Sequence, residues 1–300
     1  MSILVVGDIA VDSLGIVSHF PEVSTNAEVN NFTKAFGGSA ANTAVVARML
    51  GDNVGFASVI GHDFPEGYMD RLKKMKLDLT YLGKSELNTT SVFIFSKGND
   101  QVSFFYPGSS RELDGMRIPR DYLSKFDIVH MCRNFPTLQY RIVRECRDLR
   151  TKVSYNPGYG IDEMDKLHLR RILKGTDILF LNEAELEYML ELFGLEAPQD
   201  VQGWADLDIL VLTLGKDGSR VITREGEDVI VPAIELQVVD PTGAGDSFTA
   251  GFLTSLVRSG DPVEAAKIGS ATASYVITST ETQPTITVDN VMEKRRRQYI

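Results

Sequence analysis

The sequence predicts an α/β protein with a mostly parallel central sheet, helices on both faces of that sheet, and a small antiparallel sheet beside it. Three observations support this fold class: short apolar runs typical of buried strands, helical patterns between most of those runs, and two regions of shorter alternating strands that interrupt the pattern. No linker rich in Gly, Pro or Ser divides the 300 residues. We therefore expect residues 1–300 to form a single domain.

The candidate core strands are runs of aliphatic and β-branched residues, and most of them alternate with candidate helices. The strands are Ile3–Val6, Val54–Ile60, Ile128–Met131, Val153–Tyr155, Ile178–Leu181 and Ile209–Leu214. The helices include Ala40–Leu50, Gly67–Met75, Leu138–Leu149 and Glu183–Phe193. Strands that alternate with helices in this way pair in parallel, and the helices cover both faces of the sheet.

Two regions break this alternation. Asn30–Phe36 is short and alternating, and Thr90–Phe95 and Gln101–Tyr106 flank a good hairpin turn at residues 97–100. These strands, from about residues 12–36 and 88–108, would form the small antiparallel sheet. From the pattern alone, this sheet is a projecting hairpin that either supports the structure or joins two copies of the chain.

Polar residues follow nearly every candidate strand, at the edge where parallel α/β sheets bind ligands. They are Asp8 and Asp12, Arg133 and Asn134, Asn156, Asn182, and Thr213. Helix capping explains any one of them alone, but together they predict a polar cleft. Asn182 and Glu185 lie three residues apart at a helix start, and this spacing suits either a hard cation or a capping box.

The nine residues from Asp240 to Phe248 combine a turn, two glycines and an acid. Apolar residues then recur at helical spacing: Phe248, Phe252 and Leu256. The glycines therefore lie at a helix start, where unpaired N–H groups attract an anion and a phosphate can approach the backbone. Asp246 would repel that phosphate unless it takes a proton from an attacking hydroxyl. The segment predicts phosphoryl transfer to an alcohol, with an Asp-capped helix as the alternative.

Charge and cysteine content narrow the class of partner. The net charge of −10 disfavours nucleic acid or an anionic membrane as the main partner. Cys132 and Cys146 lack CxxC spacing and are typical of reduced thiols. The run Ile3–Val6 is too short for a signal peptide, and no segment approaches the roughly 20 apolar residues of a membrane span. We expect a cytoplasmic protein.

The segment from Asp240 to Phe248 resembles the C-terminal signature of the ribokinase, or phosphofructokinase-B, family of carbohydrate and nucleoside kinases. Gly37-Gly38 followed by Asn42 resembles its N-terminal signature, and the resemblance covers nearly the whole chain. It implies a ribokinase-like fold, with the small sheet as a lid over the acceptor. It also implies an ATP- and magnesium-dependent kinase. Its general base would be Asp246, and its anion hole would be the backbone of Gly243, Ala244, Gly245 and Asp246.

The same resemblance implies roles for further residues. The acceptor hydroxyls would be held by Asp12, Gly37, Gly38 and Asn42. ATP would contact Asn182, Thr213, Gly215, Gly218, Gly243 and Gly245. Magnesium would be held, through water, near Asn182 and Glu185. A monovalent cation such as K⁺ would lie near Asp240, Thr242, Val276, Ser279, Glu281 and Thr285, although Glu281 replaces the usual glycine.

The acceptor is predicted to be the 5′-hydroxyl of a nucleoside. Ser39 stands where ribokinases usually carry a lysine, and residues 37–44 and 99–108 resemble archaeal-type nucleoside kinases. Phe105 is the candidate to stack on a nucleobase, and Asn134, which follows the strand Ile128–Met131, is a further candidate to bind the substrate. Two alternatives stay open: a sugar kinase of the same family, and a non-catalytic sensor of sugars or nucleotides. The hairpin is also a candidate surface for a homodimer.

Overall fold

The computed structural model describes residues 2–98, 100–279 and 283–299, which form two sheets and the helices that cover the larger one. The strands are β1 (Ser2–Val6), β2 (Ala10–Val17), β3 (Val29–Gly37), β4 (Asn53–Ile60), β5 (Leu82–Lys84), β6 (Thr90–Lys97), β7 (Asp100–Tyr106), β8 (Ile128–Cys132), β9 (Lys152–Asn156), β10 (Ile178–Asn182), β11 (Ile209–Thr213), β12 (Ser219–Thr223) and β13 (Asp228–Val231). The α-helices are α1 (Ser39–Met49), α2 (Glu66–Lys74), α3 (Arg120–Leu123), α4 (Pro136–Cys146), α5 (Lys166–Leu173), α6 (Glu183–Phe193), α7 (Pro198–Ala205), α8 (Ala244–Ser259), α9 (Pro262–Val276) and α10 (Val288–Gln298).

The larger sheet has the strand order β13-β12-β11-β10-β9-β8-β1-β4-β5. Every pair from β5 to β11 is parallel, whereas β12 and β13 add antiparallel at one edge. Alternate residues of β1 enter different halves of the core. Ile3 and Val5 pack with α1, α8 and α9, and Leu4 and Val6 pack with α4 and α5 on the opposite face. The central sheet is therefore covered on both faces, as the sequence predicted.

The second sheet has the order β3-β2-β6-β7. Its two hairpins, β2–β3 and β6–β7, are antiparallel as expected, but β2 and β6 pair in parallel along Ala10–Ile16 and Thr90–Ser96. This difference has a simple cause. The chain enters β2 after β1 and β6 after β5, and those two strands run in the same direction in the larger sheet.

The register of the second sheet gives it two distinct faces. Asp12, Val92 and Phe105 are cross-strand partners and share the face that we call the inner face. Phe93 and Phe104 are partners on the opposite, outer face. Phe104 is 61% exposed, so the outer face presents aromatic surface to solvent. No helix among the described residues has both the length and the apolar character needed to span a bilayer.

Candidate active site

The start of α8 forms a partly open cradle of backbone amides. Gly243 precedes the helix with a left-handed φ of 78°. The amide of Ala244 donates to the carbonyl of Pro241 at 3.1 Å, whereas the amides of Gly245 and Asp246 have no partner among the described residues. Of the four amides predicted to form the anion hole, that of Ala244 is engaged, and the other three, including that of Gly243, have no partner among the described residues.

The carboxylate of Asp246 accepts one hydrogen bond on each oxygen. Ser39 Oγ donates to Oδ1 at 2.6 Å, and Asn42 Nδ2 donates to Oδ2 at 2.9 Å. Burial raises the pKa of Asp246 to about 6, while both of these hydrogen bonds act to lower it. The predicted base is thus held by two residues from the start of α1. Asn42 was predicted to bind the acceptor, and neither its hydrogen bond to Asp246 nor that of Ser39 was predicted.

Two further carboxylates lie close to this base. Asp8 is 2% exposed and Asp12 is 7% exposed, and Oδ1 of each is buried without a partner among the described residues. Burial, with smaller contributions from the charges of Asp8 and Asp246, raises the pKa of Asp12 to about 7. Unpaired buried oxygens at this position are suited to accept hydrogen bonds from hydroxyl groups. The sequence placed Asp8 at the cleft but gave it no role.

The glycine pair is needed to accommodate this arrangement. A Cβ at Gly37 would lie 2.1 Å from Oδ2 of Asp12, so any side chain there would displace the carboxylate. Gly38 has a φ of 95°, and its Cβ would lie 2.7 Å from Cα of Ile9. Both glycines therefore allow the end of β3 to pack directly against the segment that carries the acids.

Arg133 connects the larger sheet to the inner face of the second sheet. Its guanidinium lies 4.2 Å from the centre of the Phe105 ring, and Nη1 is 3.6 Å from Oδ2 of Asp8. The backbone of Arg133 has a left-handed φ of 61°. Its neighbour Asn134 accepts a hydrogen bond from the hydroxyl of Tyr155 at 2.7 Å, which fixes its side chain beside the cleft.

A cavity of about 290 Å³ lies at the carboxyl edge of the larger sheet. Its polar lining comes from strand ends and from the starts of α1, α6 and α8: Ser39, Arg133, Asn156, Asn182, Glu185, Thr213, Gly245 and Asp246. The polar strand ends Arg133, Asn156, Asn182 and Thr213 therefore meet in one cleft, as the parallel-sheet rule predicts.

Asn182 and Glu185 form a capping box at the start of α6. Asn182 Oδ1 accepts from the amide of Glu185 at 2.9 Å, and Glu185 Oε2 accepts from the amide of Asn182 at 2.9 Å. Burial raises the pKa of Glu185 above its ordinary value. Among the described residues, no group of three or more His, Cys, Asp or Glu side chains is placed to hold a metal. The carboxylate of Glu185 alone still fits magnesium, because this ion keeps several water ligands and takes others from substrate phosphates.

The turn after β11 contains two glycines in different surroundings. Gly215 has a φ of 57° and open space in the direction of a Cβ. Gly218 has a φ of 100°, and a Cβ there would lie 2.1 Å from the carbonyl oxygen of Val231. Packing against β13 therefore requires Gly218 whatever ligand binds. Thr213, which ends β11, lines the cavity.

The segments predicted to enclose a monovalent cation meet at the end of α9. The amides of Val239 and Asp240 both donate to the carbonyl of Ile277. The other predicted members lie nearby in the chain: Asp240 Oδ1 accepts from the amide of Thr242 at 2.8 Å, the carbonyl of Val276 accepts from the amide of Ser279, and Thr285 is exposed. Glu281 lies outside the described residues.

Known proteins resemble this chain in both sequence and fold. A model of the pfkB family of carbohydrate kinases matches residues 1–288. A nucleoside kinase of Methanocaldococcus jannaschii is 33% identical over 98% of this chain and 97% of its own length. A nucleoside kinase of Methanothermobacter thermautotrophicus is 31% identical over 95% of this chain and 92% of its own length.

The crystal structure of the M. jannaschii enzyme, described as an archaeal member of the ribokinase family, superimposes with a TM-score of 0.92. It is 32% identical and covers 99% of this chain and 98% of its own. These findings confirm the ribokinase-like fold and the enzyme class that the sequence predicted. The chain belongs to the pfkB family of carbohydrate kinases, phosphotransferases that use an alcohol acceptor and act on nucleosides or sugars.

Proposed function

We propose that this chain is a nucleoside kinase that transfers the γ-phosphoryl group of ATP to the 5′-hydroxyl of a nucleoside. The observation that carries the proposal is the position of Asp246. Its carboxylate lines the cavity at the start of α8, beside the amides of Gly245 and Asp246, which have no partner among the described residues. A base next to an anion hole is the arrangement that phosphoryl transfer to an alcohol requires.

In the proposed step, Asp246 removes the proton from the 5′-hydroxyl as its oxygen attacks the γ-phosphorus. The new oxygen–phosphorus bond forms while the bond to the β-phosphate oxygen breaks, so ADP leaves and the proton stays on Asp246. The amides of Gly245 and Asp246 stabilise the charge on the transferring group. The amide of Ala244 joins them only by giving up its bond to Pro241.

ATP would lie along the carboxyl edge, with its phosphates near Asn182, Thr213 and Gly215. Glu185 is the residue suited to hold magnesium through water. When bound, magnesium neutralises charge on the β- and γ-phosphates. The junction between Asp240 and the end of α9 is the proposed place for a monovalent cation.

Three features favour a nucleoside over a free sugar. The two relatives described above are both nucleoside kinases, at 33% and 31% identity with nearly full coverage. Ser39 donates to Asp246, so the position that carries a lysine in ribokinases supports the base without adding a charge. The ring of Phe105 shares the inner face with Asp12, where it can stack on a nucleobase while Asp12 binds the ribose hydroxyls.

The proposal is tested by measuring ATP consumption with purine and pyrimidine nucleosides and with free ribose, fructose and glucose. We expect turnover with at least one nucleoside, and product analysis should show a 5′-monophosphate. If only free sugars are phosphorylated, the nucleoside assignment is wrong and the chain is a sugar kinase. Ligand binding by calorimetry without any ATP consumption would instead support a non-catalytic sensor.

A further inference from the structure

A chain of buried hydrogen bonds leads from α2 to the proposed base. The hydroxyl of Tyr68 donates to the carbonyl of Gly37 at 3.1 Å. Gln283 Nε2 donates to the Tyr68 hydroxyl and to Asn42 Oδ1, both at 2.9 Å. Asn42 Nδ2 then donates to Oδ2 of Asp246 at 2.9 Å. Gln283 is 3% exposed, and its backbone carbonyl accepts a hydrogen bond from Arg71 at 2.6 Å.

The direction of each hydrogen bond in this chain is determined by the one before it. The carbonyl of Gly37 can only accept, so the single proton of Tyr68 points toward it and the Tyr68 oxygen must accept from Gln283. Gln283 therefore presents its NH₂ group, and Asn42 presents its oxygen to Gln283. As a result, Asn42 must present its NH₂ group to Asp246.

The reversed arrangement is worse for two reasons. Turning the amide of Gln283 would take the proton of Tyr68 away from the buried carbonyl of Gly37. It would also turn the oxygen of Asn42 toward Oδ2 of Asp246, a contact that is favourable only if Oδ2 carries a proton. The observed direction leaves Gln283 Oε1 without a partner among the described residues. It is nevertheless the direction that keeps Oδ2 in its ionised, accepting state.

We propose that Gln283 is a positioning residue that orients Asn42 so that Oδ2 of Asp246 stays unprotonated and the substrate proton is taken by Oδ1. This inference rests on the proposed function. Oδ1 is bonded to Ser39, which lines the cavity, whereas Asn42 is buried at 5% exposure. The Ser39 hydroxyl can rotate from donating to Oδ1 before the transfer to accepting from it afterwards, which the NH₂ group of Asn42 cannot do.

Several other groups act on the same carboxylate and must stay constant in a test. These groups include Asp8, which follows β1, Asp12 on β2, and Arg133, which follows β8. The charge of Asp8 raises the pKa of Asp246, whereas the charge of Arg133 lowers it. The thiol of Cys132 is also close to Asp246, and burial together with the negative charge of Asp246 raises the pKa of this thiol. Substitutions at position 283 leave all of these groups in place.

The experiment compares the pH dependence of kcat/KM for the nucleoside in the wild type, Gln283→Leu and Gln283→Glu. Leucine frees Asn42 to turn without adding a charge, whereas glutamate accepts from Asn42, turns it, and adds a negative charge that also raises the pKa of Asp246. We therefore expect the acidic limb to move upward by about half a pH unit with leucine, and further with glutamate. We expect kcat to fall at least about tenfold while KM for ATP stays within about twofold.

Controls separate positioning from simple destabilisation. Gln202→Leu removes a glutamine amide that donates to Leu207 on a different part of the fold, and it should leave the pH profile unchanged. Tyr68→Phe removes the hydroxyl that orients Gln283, and it should shift the acidic limb in the same direction by a smaller amount. It also serves as the test if the position 283 variants do not fold.

Two outcomes would overturn the inference. One is an unmoved acidic limb in folded Gln283→Leu and Tyr68→Phe variants. The other is a loss of kcat that only follows the folded fraction of each variant. Failure of the proposed function is recognised separately, because full activity in Asp246→Asn would remove the base itself. If the wild type phosphorylates sugars instead, the same comparison is made with the accepted sugar.

Discussion

Opposing influences act on the acidity of Asp246. Burial and the charge of Asp8 raise its pKa, whereas the hydrogen bonds from Ser39 and Asn42 lower it, and the result is a pKa of about 6. A carboxyl group with this pKa is mostly ionised at neutral pH, yet it binds a proton more readily than an ordinary aspartate. These are the properties that a general base needs when an alcohol loses its proton in the transition state.

We expect Asp246→Asn to lower kcat by at least about 100-fold, because the amide cannot accept the proton of the attacking hydroxyl. Nucleoside affinity should change little, since asparagine keeps the size of the side chain. Single-turnover kinetics and calorimetry measure the two effects. The control is Asp148→Asn, which removes an exposed carboxylate outside the cavity. Unchanged turnover in a folded Asp246→Asn variant would contradict the assignment.

Asp12 should make stability depend on pH. Its pKa rises from an ordinary value of 3.8 to about 7 in the fold, so the unfolded chain loses this proton at a lower pH than the folded chain does. The free energy of unfolding therefore falls as the pH rises between these two values. Above pH 7 the penalty is constant. Asp12→Asn removes this penalty. The difference in free energy of unfolding between the variant and the wild type should therefore increase, in favour of the variant, by on the order of 2–3 kcal/mol from pH 5 to pH 8.

Urea denaturation of both proteins at the two pH values measures this gain. Asp148→Asn again serves as the control and should show no such trend. The same stability difference between Asp12→Asn and wild type at pH 5 and pH 8 would show that Asp12 is not buried in the way described.

The sequence offered candidates for the residues that act directly, but it did not predict the hydrogen bonds that hold Asp246 in place. Asp246 and Asn42 lie in recognisable signatures, and both prove to be in contact. Ser39 was visible only as a departure from the usual lysine, because its bond to Asp246 depends on how α1 packs against α8. Gln283 carries no local signal, since its partner Asn42 is 241 positions away.

At the scale of elements, local signals determine how well each boundary was predicted. Helix α6 begins and ends where the sequence placed it, at Glu183–Phe193. Its start has a capping box, and Gly194 ends it with a φ of 66°. The parallel pairing of β2 with β6 was not predicted. It depends on the direction in which the chain leaves the larger sheet, which no short segment encodes.

The outer face of the second sheet is suited to bind a second copy of this chain. Phe32 is 53% exposed and Phe104 is 61% exposed, and Val102 and Tyr106 extend the same face beside Phe93. A contiguous aromatic surface of this kind is unusual for the exterior of a monomer. The inner face carries Asp12 and contacts Arg133 through Phe105, so we expect association to use the outer face.

We therefore expect the wild type to form a homodimer that Phe104→Lys dissociates, because a buried unpaired ammonium group opposes association. Light scattering over a range of concentrations measures the change. Leu167→Lys is the matched control, since Leu167 is 52% exposed on α5 and lies outside the second sheet. A wild-type protein that remains monomeric at every concentration would contradict the prediction.

At the scale of the whole molecule, the site is assembled from distant parts of the chain. The carboxyl ends of parallel strands bring residues as far apart as Arg133 and Thr213 to one cavity that Asp246 also lines. A general property of parallel sheets made this convergence predictable. The strand order was not predictable from the sequence, and neither was the chain of hydrogen bonds behind Asp246.

Hairpin β6–β7 and the start of α8 carry different parts of the proposed site, so selection can act on acceptor preference and on phosphate binding separately. Phe105, which we propose stacks on the nucleobase, lies on hairpin β6–β7, whereas the amides proposed to bind phosphate lie at the start of α8. Exchanging this hairpin between relatives would therefore alter which molecule is accepted while the phosphate-handling machinery stays intact. Under the proposed function, a change in this one short hairpin alters the preference for the nucleobase, whereas Asp12 on β2 keeps its contact with the ribose.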